Sequence, residues 1–358
     1  IVMEIKRFYA VDGLRGLFAC VVLLNHAINA VTGWKNDGPF SGPHLAVAYF
    51  FIISGFVLTH SVRNGASIPS YFLNRLARLW PLTFISSAIM VIIYCVNSHN
   101  GGYVPGDYVF SIRTWIANLA FIHGSTPLSF HLINDPSWSV SIEFWASMLI
   151  PILYLKMRPL SRLCLSILAF CYLAVVSSRG LSSPELYGMY NFVFASSCLL
   201  MGSGMYSIIE LKWSDSFARL PHKSVFLVMC LIVCFIGLYS QPAHTNRMDY
   251  FYMVAFLPLL TVDYMNDESI VKRFLYSAPV QFLGFISFPL YLLHFPVMIT
   301  GIVMGDPVMG AVKMIAVSIV LAYLYAAFID VKMYKYLKGR ISALLPDKPS
   351  AIEKGKEA

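Results

Sequence analysis

The stretch from Leu45 to Val62 reads Leu-Ala-Val-Ala-Tyr-Phe-Phe-Ile-Ile-Ser-Gly-Phe-Val-Leu-Thr-His-Ser-Val and contains no Asp, Glu, Lys or Arg. As an α-helix these residues would be about 27 Å long, close to the hydrocarbon thickness of a lipid bilayer. A helix satisfies its own backbone hydrogen bonds, as a segment surrounded by lipid must. The stretch therefore predicts a membrane-spanning helix.

The rest of the chain has the same character. Of its 358 residues, 58% are hydrophobic and only 12% are charged, whereas about 25% are charged in a typical soluble domain. That is too little polar side chain to coat a water-soluble surface of this size. The seven Cys are scattered without a CxxC pair, which favours thiols that face lipid or core and predicts neither a disulfide framework nor a metal site.

Apolar segments of spanning length recur along the chain, so we predict an all-α, polytopic membrane helix bundle. The segment 114–124 is too short to cross a bilayer and is predicted to be re-entrant or interfacial. Counting it as a span would reverse the sidedness of every later loop. The ten predicted spans lie near 13–33, 45–62, 79–97, 138–155, 163–178, 188–208, 224–240, 249–265, 280–300 and 308–330.

The distribution of Lys and Arg orients the bundle. With ten spans and a cytoplasmic N-terminus, twenty of these residues face the cytoplasm and four face the opposite side. This asymmetry is the positive-inside pattern and predicts that both termini are cytoplasmic. The net charge of +8 is then explained by contact with anionic lipid rather than by nucleic acid. We expect a membrane domain over 1–336 and a disordered, basic cytoplasmic tail over 337–358.

Ionisable side chains at bilayer depth are costly, so each is a functional candidate. In the first span Asp12 and Arg15 lie near the cytoplasmic end, and Asn25 and His26 lie beyond its middle. About 16 Å, or three helical turns, separates Arg15 from His26, which places both on one face. Asp12 and Arg15 are equally consistent with an anchor at the membrane surface. The depth of His26 favours function over a structural hydrogen bond to a neighbouring helix.

Arg75 and Arg78 lie three residues apart at the cytoplasmic mouth of the third span. One helical face carries both, and the guanidinium fork suits phosphate. Considered alone, ordinary positive-inside charge is the stronger interpretation of this pair.

Polar residues also occur in the fourth and ninth spans. Glu143 falls about one turn inside the bilayer, with Ser139 on the same helical face. A carboxylate there can orient a histidine or act as a base with a raised pKa, although Ser and Glu also suit a helix start. Tyr291 and His294 lie between two prolines in the outer half of the ninth span. The alternative interpretation of that pair is a kinked helix with side chains that seek the interface.

These segments resemble the motifs of acyltransferase family 3, which are multi-span membrane proteins that O-acylate bacterial cell-surface sugars. The resemblance runs in order along most of the chain, and its second and fourth motifs include Ser54 and Trp138. The five matching motifs are Asp12-Gly13-Leu14-Arg15-Gly16 with His26, Phe51-Ile52-Ile53-Ser54-Gly55-Phe56, Arg75-Leu76-Ala77-Arg78-Leu79-Trp80-Pro81, Trp138-Ser139-Val140-Ser141-Ile142-Glu143-Phe144, and Ser287-Phe288-Pro289-Leu290-Tyr291-Leu292-Leu293-His294.

The resemblance implies an enzyme of the bacterial cytoplasmic membrane that moves an acyl group, usually from acetyl-CoA, to a hydroxyl of a surface or lipid-linked glycan. On this interpretation His26 is the base or an acyl-carrying nucleophile, and Glu143 orients an imidazole or relays its proton. His294 is a second imidazole candidate. The CoA phosphates would be held by Arg75 and Arg78, with Arg15 behind them. Supporting roles fall to Asp12, Asn25, Ser54, Trp138, Ser139 and Tyr291.

Family members often carry an external hydrolase-like domain, and we expect this chain to be the stand-alone type. Such a protein acylates its acceptor directly or passes the acyl group to a separate extracytoplasmic partner. Two interpretations from other classes remain open. A secondary transporter also places His, Glu and Arg at the bilayer midplane, usually with repeat symmetry that this sequence lacks. In a receptor or scaffold, the same residues would be structural.

Overall fold

The helices of the bundle follow the apolar segments of the chain. The computed structural model describes residues 7–33, 38–63, 67–124, 131–177, 181, 189–213, 222–240, 248–265 and 269–345. All regular structure in these residues is helical, which confirms the all-α class. The α-helices are α1 Tyr9–Thr32, α2 Pro43–Arg63, α3 Ile68–His99, α4 Ile112–Leu119, α5 Ser137–Ser147, α6 Leu149–Ile152, α7 Pro159–Val176, α8 Met189–Ile208, α9 Lys223–Ser240, α10 Asp249–Phe256, α11 Ile270–Leu275, α12 Ala278–Ile299, α13 Pro307–Tyr325 and α14 Val331–Leu344.

Nine helical stretches in the described ranges are long and apolar enough to cross a bilayer, as expected of a multi-pass membrane protein. They match nine of the ten predicted spans. The remaining segment, 249–265, consists of the eight-residue α10 and an eight-residue 3-10 helix over Leu257–Tyr264. Together these two pieces would extend about 28 Å, the length of a span, although α10 alone is too short for one. The count of ten and the cytoplasmic termini stay predictions.

The short segment 114–124 does not cross the bundle. Its helix α4 is eight residues long, and the chain turns back after it towards the start of α5. The carbonyls of Leu119 and Ala120 at the end of α4 accept hydrogen bonds from the indole N–H groups of Trp80 and Trp145. A helix end at membrane depth needs such partners because lipid offers none. This geometry favours the re-entrant form of the prediction over the interfacial one.

Two helices extend beyond the boundaries predicted from the sequence. Helix α3 begins at Ile68, about three turns before the predicted start of the third span near 79, because Ser67 caps it and Pro69 occupies its first turn. The expected disorder of 337–358 fails over its first part, since α14 continues to Leu344. A π-helical turn over Ala326–Asp330 joins α13 to α14, so the last span runs on into this helix. The residues from 346 onward lie outside the described ranges.

Helices α1 and α12 run parallel and touch backbone to backbone. A Cβ on Gly16 would lie 2.3 Å from the Gly284 nitrogen, and a Cβ on Gly284 would lie 2.5 Å from the Asp12 carbonyl oxygen. Such short distances mean that only glycine fits at either position. We call the face of the bundle where α1 begins the inner face and the face where it ends the outer face, after the predicted topology. The contact lies near the inner face and fixes the register of the two helices.

The centre of the bundle is occupied by α2 and α8. In each, 72% of the apolar spanning window is buried, compared with 22% in α7 and 28% in α9. Gly55 of α2 and Gly202 of α8 provide the close approach, because a Cβ on either would meet the other helix's backbone within 2.2 Å. The exposed apolar sides of α7 and α9 suit contact with lipid tails.

A carboxylate distant in sequence caps the start of α1. The first turn of this helix has no capping side chain of its own. Instead, Asp263 accepts hydrogen bonds from the backbone N–H groups of Ala10 and Val11 at 3.0 and 3.2 Å. Tyr276 donates its hydroxyl to the same carboxylate at 2.8 Å. Negative charge at a helix N-terminus is favourable, so Asp263 stabilises α1 and anchors its inner end.

Candidate active site

A polar cavity lies inside the inner half of the bundle, among α1, α2, α3, α5 and α12. We call it the arginine cavity; its volume is about 290 Å³. Eight of the twelve predicted site residues line it, although they come from five separate helices. They are Asp12, Arg15, Ser54, Arg75, Arg78, Ser139, Glu143 and Tyr291.

Arg75 and Glu143 form an ion pair in this cavity. Nη2 of Arg75 lies 2.7 Å from Oε1 of Glu143, and both side chains are largely buried. Within the described part of the chain, the Glu143 carboxylate therefore pairs with an arginine and not with either imidazole. The Arg75 Nε, also buried, has no hydrogen-bond partner among the described residues. An unmet charged donor is costly inside a protein, so it suits a ligand oxygen in the cavity.

Arg78 is held by a carboxylate that the sequence analysis did not select. Its Nη1 forms a short ion pair with Asp330, in the π-helical turn before α14. The Arg78 guanidinium also lies over the rings of Phe288 and Tyr334 at 5.5 and 5.7 Å. Cation–π contacts of this kind orient the guanidinium plane. Asp330 and Tyr334 therefore complete the inner mouth of the cavity, where Arg78 remains about one-third exposed.

Arg15 differs from the other two arginines. Its Nη2 donates a hydrogen bond to Ser54 at 3.3 Å, and none of the described carboxylates forms an ion pair with it. The neighbouring Asp12 is paired instead with Arg7, at 2.9 Å. A positive charge with only a hydroxyl partner leaves the cavity with unbalanced positive charge. The cavity therefore favours an anionic or strongly polar ligand.

His26 and His294 form a pair beyond the cavity. Their rings are nearly parallel, with centroids 4.9 Å apart and planes 15° apart, and Nδ1 of His26 lies 2.6 Å from Nε2 of His294. The register of α1 and α12 explains the meeting, because ten residues, about 15 Å, separate Gly16 from His26 and Gly284 from His294. Because the two parallel helices touch at these glycines, His26 and His294 lie at the same level along the bundle.

The hydrogen bonds assign the tautomers of the two neutral rings. Nδ1 of His294 lies 3.0 Å from the carbonyl oxygen of Leu290, which can only accept, so this nitrogen carries the proton. Nε2 of His294 must then accept, and His26 donates through its Nδ1. The Nε2 of His26 is left with the lone pair. His294 thus presents His26 in the form that can take a proton or attack an acyl carbon.

Tyr291 connects the cavity with the histidine pair. Its hydroxyl lies 2.8 Å from Oγ of Ser139 in the wall of the arginine cavity. Its ring centroid lies 6.3 Å from that of His294, one turn further along α12. Tyr291 therefore touches both regions, and its hydroxyl hydrogen bond with Ser139 is compatible with proton movement.

Two of the predicted supporting residues, Asn25 and Trp138, lie outside the arginine cavity. Asn25 faces away from His26 and donates to the carbonyl of Phe40 at 2.8 Å, which ties α1 to the chain before α2. Trp138 is half-buried and packs against the main apolar core. Neither lines the arginine cavity.

The fold is thus a multi-pass helical membrane domain with a buried arginine site and a histidine pair on shared helices. The sequence model described as an acyltransferase domain, that of acyltransferase family 3, matches residues 8–327. The chain belongs to this family of acyltransferases, and the resemblance inferred from the five motifs is confirmed. No solved structure matches the chain significantly.

Individual relatives agree with the family assignment. Nodulation protein 10 of Rhizobium leguminosarum bv. viciae is 32% identical over 161 residues, which are 40% of this chain and 43% of that protein. The putative peptidoglycan O-acetyltransferase YrhL of Bacillus subtilis is 25% identical over 89% of this chain and 54% of its own length. An O-acetyl transferase of Shigella phage Sf6 is 20% identical over 76% of this chain and 83% of the phage protein. The chain thus spans about half the length of the first two relatives.

Proposed function

We propose that the protein is an O-acetyltransferase of the bacterial cytoplasmic membrane. It moves an acetyl group from cytoplasmic acetyl-CoA to a hydroxyl of a surface or lipid-linked glycan. The observation that carries the proposal is that α1 and α12 each contribute both to a positively charged cavity near the inner face and to a histidine pair nearer the outer face. A charged donor and a proton acceptor are then available along one path. The O-acetyltransferases among the relatives support the choice of acetyl.

The arginine cavity is the proposed donor site. Its 290 Å³ lies at the small end of ligand pockets, so it fits part of an acyl-CoA rather than the whole molecule. Arg15 and the unpaired Nε of Arg75 offer donors to a phosphate or to the thioester carbonyl oxygen. Arg78 at the more exposed mouth adds positive charge towards the inner face, where a soluble anionic donor would enter.

His26 is the proposed general base. Its Nε2 takes the proton of the acceptor hydroxyl as that oxygen attacks the thioester carbonyl carbon. Collapse of the tetrahedral intermediate breaks the carbon–sulfur bond, and the CoA thiolate leaves and accepts the proton. The positive charge that develops on His26 strengthens its Nδ1–H hydrogen bond to His294. In this scheme His294 is a positioning residue, comparable in role to the group that orients a catalytic histidine.

Thiol release from acetyl-CoA tests the proposal. The purified protein is reconstituted in liposomes with surface polysaccharide that mild alkali has stripped of ester-linked acetate, and free CoA is measured with a thiol reagent. We expect CoA release that needs both protein and polysaccharide, with acetate esters appearing on the polysaccharide. A protein that moves acetyl-CoA or the glycan across the membrane without releasing thiol would be a transporter. If the protein neither binds acetyl-CoA nor releases thiol, the scaffold interpretation is favoured.

A further inference from the structure

A second cavity opens at the outer face of the bundle. We call it the outer vestibule; its volume is about 770 Å³, more than twice that of the arginine cavity. Both cavities are bordered by α1 and α12, and both are reached by the segment that leads into and forms α5. The lining of the vestibule includes Ala30, Tyr103, Tyr108, His131, Asp135 and Phe295.

The lining combines aromatic faces with one carboxylate. Tyr108 stacks on His131 with ring centroids 3.7 Å apart, and Tyr103 is 63% exposed at the rim. Asp135 has no hydrogen bond or ion pair through its carboxylate within the described ranges, and it lines the cavity. A pyranose has apolar C–H faces that pack on aromatic rings and a rim of hydroxyls that donate to carboxylates. The vestibule offers both features in one place.

The vestibule adjoins the histidine pair. Phe295 lines the vestibule and also packs edge-on against His26, with ring centroids 6.2 Å apart. Ala30, one turn after His26 on α1, lies in the vestibule wall. The Phe295 ring and the Ala30 turn of α1 therefore connect the vestibule with the imidazole of His26.

The charge of the vestibule selects among ligands. Among the described residues that line it, the ionisable ones are one aspartate and one histidine, besides tyrosines, whereas three arginines line the inner cavity. A carboxylate with no lysine or arginine among the described lining residues disfavours the phosphates of CoA. The same charge disfavours acidic sugars. The aromatic lining suits a neutral hexose or N-acetylhexosamine.

We infer that the outer vestibule binds the acceptor as a neutral sugar residue, with Tyr103 and Tyr108 against its apolar face and Asp135 accepting from its hydroxyls. The inference rests on the proposed function and deepens it by locating the acceptor and stating its class. Asp135 acts by orienting the sugar so that one hydroxyl points towards His26. The donor and acceptor then approach the histidine pair from opposite faces, through two cavities whose lining residues differ in charge.

Two vestibule variants and one control test this assignment. Asp135→Asn keeps the shape of the side chain but removes its charge, and Tyr103→Ala removes an exposed ring. Tyr336→Ala is the matched control, because Tyr336 is 66% exposed on α14, far from the vestibule. Alkali-labile acetate on the surface glycan of cells is measured together with the membrane abundance of each variant. The dissociation constant for acetyl-CoA is measured on purified protein.

We expect Asp135→Asn to lower glycan acetate at least 10-fold and Tyr103→Ala at least 3-fold, while the control matches the wild type. All three should keep normal abundance and an acetyl-CoA dissociation constant within 2-fold of the wild type. Unchanged glycan acetate in both vestibule variants would overturn the assignment, as would weakened acetyl-CoA binding in either one. If the wild-type protein itself neither binds acetyl-CoA nor acetylates glycan, the proposed function fails, and that result is distinct from a vestibule that is merely dispensable.

Discussion

The arginine cavity and the histidine pair share two helices, α1 and α12, but differ in how they use polar side chains. The cavity concentrates charged side chains: three arginines and two carboxylates line it, and Asp330 lies nearby. One buried guanidinium nitrogen, Nε of Arg75, has no hydrogen-bond partner in the described structure. The histidine pair relies instead on hydrogen bonds of the imidazoles: His26 donates to His294, and His294 donates to the carbonyl of Leu290. The first arrangement suits binding of an anion, and the second suits movement of a proton. Variants should therefore separate the two regions kinetically.

The largest expected effect is at His26. His26→Gln keeps a hydrogen-bonding side chain of similar size but cannot take a proton, so turnover should fall by about 10²–10⁴-fold. The Michaelis constant for acetyl-CoA should stay within a few fold, because the arginine cavity is untouched. Glycan O-acetylation and membrane abundance are measured together, with His26→Ala in parallel. An active Gln variant beside a poorly expressed Ala variant would make His26 structural.

His294→Ala should have the next largest effect on turnover. The variant removes the acceptor that assigns the tautomer of His26, so we expect a loss of at least about 10-fold, smaller than that of His26→Gln. The pH dependence of turnover should change as well, because the imidazolium of His26 loses its hydrogen-bond acceptor. A pH profile identical to that of the wild type would mean that His294 only fills space.

Arg75→Ala should act on binding rather than on turnover. Loss of a charge-assisted hydrogen bond costs about 1.5–3 kcal/mol, which corresponds to a rise of about 10- to 150-fold in the Michaelis constant for acetyl-CoA. Arg75→Lys should recover only part of the loss, because lysine lacks the planar fork. Arg162 is the matched control: it is buried but bonds to Ser203 and Ser207 away from the cavity. Arg162→Ala should lower abundance and leave that constant unchanged.

Glu143→Gln tests whether the glutamate acts with Arg75 in the arginine cavity or with the histidine pair. If Glu143 serves Arg75, as its 2.7 Å ion pair indicates, the variant should change the acetyl-CoA Michaelis constant by a few fold and leave the pH profile of turnover unchanged. If Glu143 serves an imidazole, as the sequence analysis expected, the pH profile should shift and the Michaelis constant should not. Steady-state kinetics at several pH values measure both quantities.

Asp263→Asn should have the smallest effect on turnover. Because it weakens the start of α1, it should affect the arginine cavity and the histidine pair equally. Asparagine keeps one acceptor oxygen for the start of α1 but loses the charge and the second acceptor, which costs about 0.5–2 kcal/mol of stability. We expect a lower midpoint of thermal unfolding in detergent and a modest loss of turnover. Tyr276→Phe removes one hydrogen bond to the same carboxylate and should shift the midpoint in the same direction. An unchanged midpoint in both variants would show that the Asp263 cap does not stabilise α1.

Much of the fold was accessible from the pattern of apolar residues. Nine of the predicted spans appear as long helices, and the short segment 114–124 was correctly kept out of the count. The predicted spans differ from the observed helices where polar residues extend a helix or where the helical geometry changes. Helix α3 starts before the apolar run because a cap and a proline begin it in polar sequence. The segment 249–265 is apolar throughout its middle, yet the backbone changes from α to 3-10 geometry there, which hydropathy does not report.

The sequence by itself determined the membrane environment, the helical class, the family and most residues of the arginine cavity, since each rests on composition or on local motifs. Only the tertiary structure decided the pairing: Glu143 with Arg75, His26 with His294, Arg78 with Asp330 and the start of α1 with Asp263. These partners are 68 to 268 positions apart in the chain. A helix presents side chains in several directions, and the choice of partner depends on which helices touch and in what register. Here the close contact of Gly16 with Gly284 sets that register, and no local pattern in either helix specifies its partner.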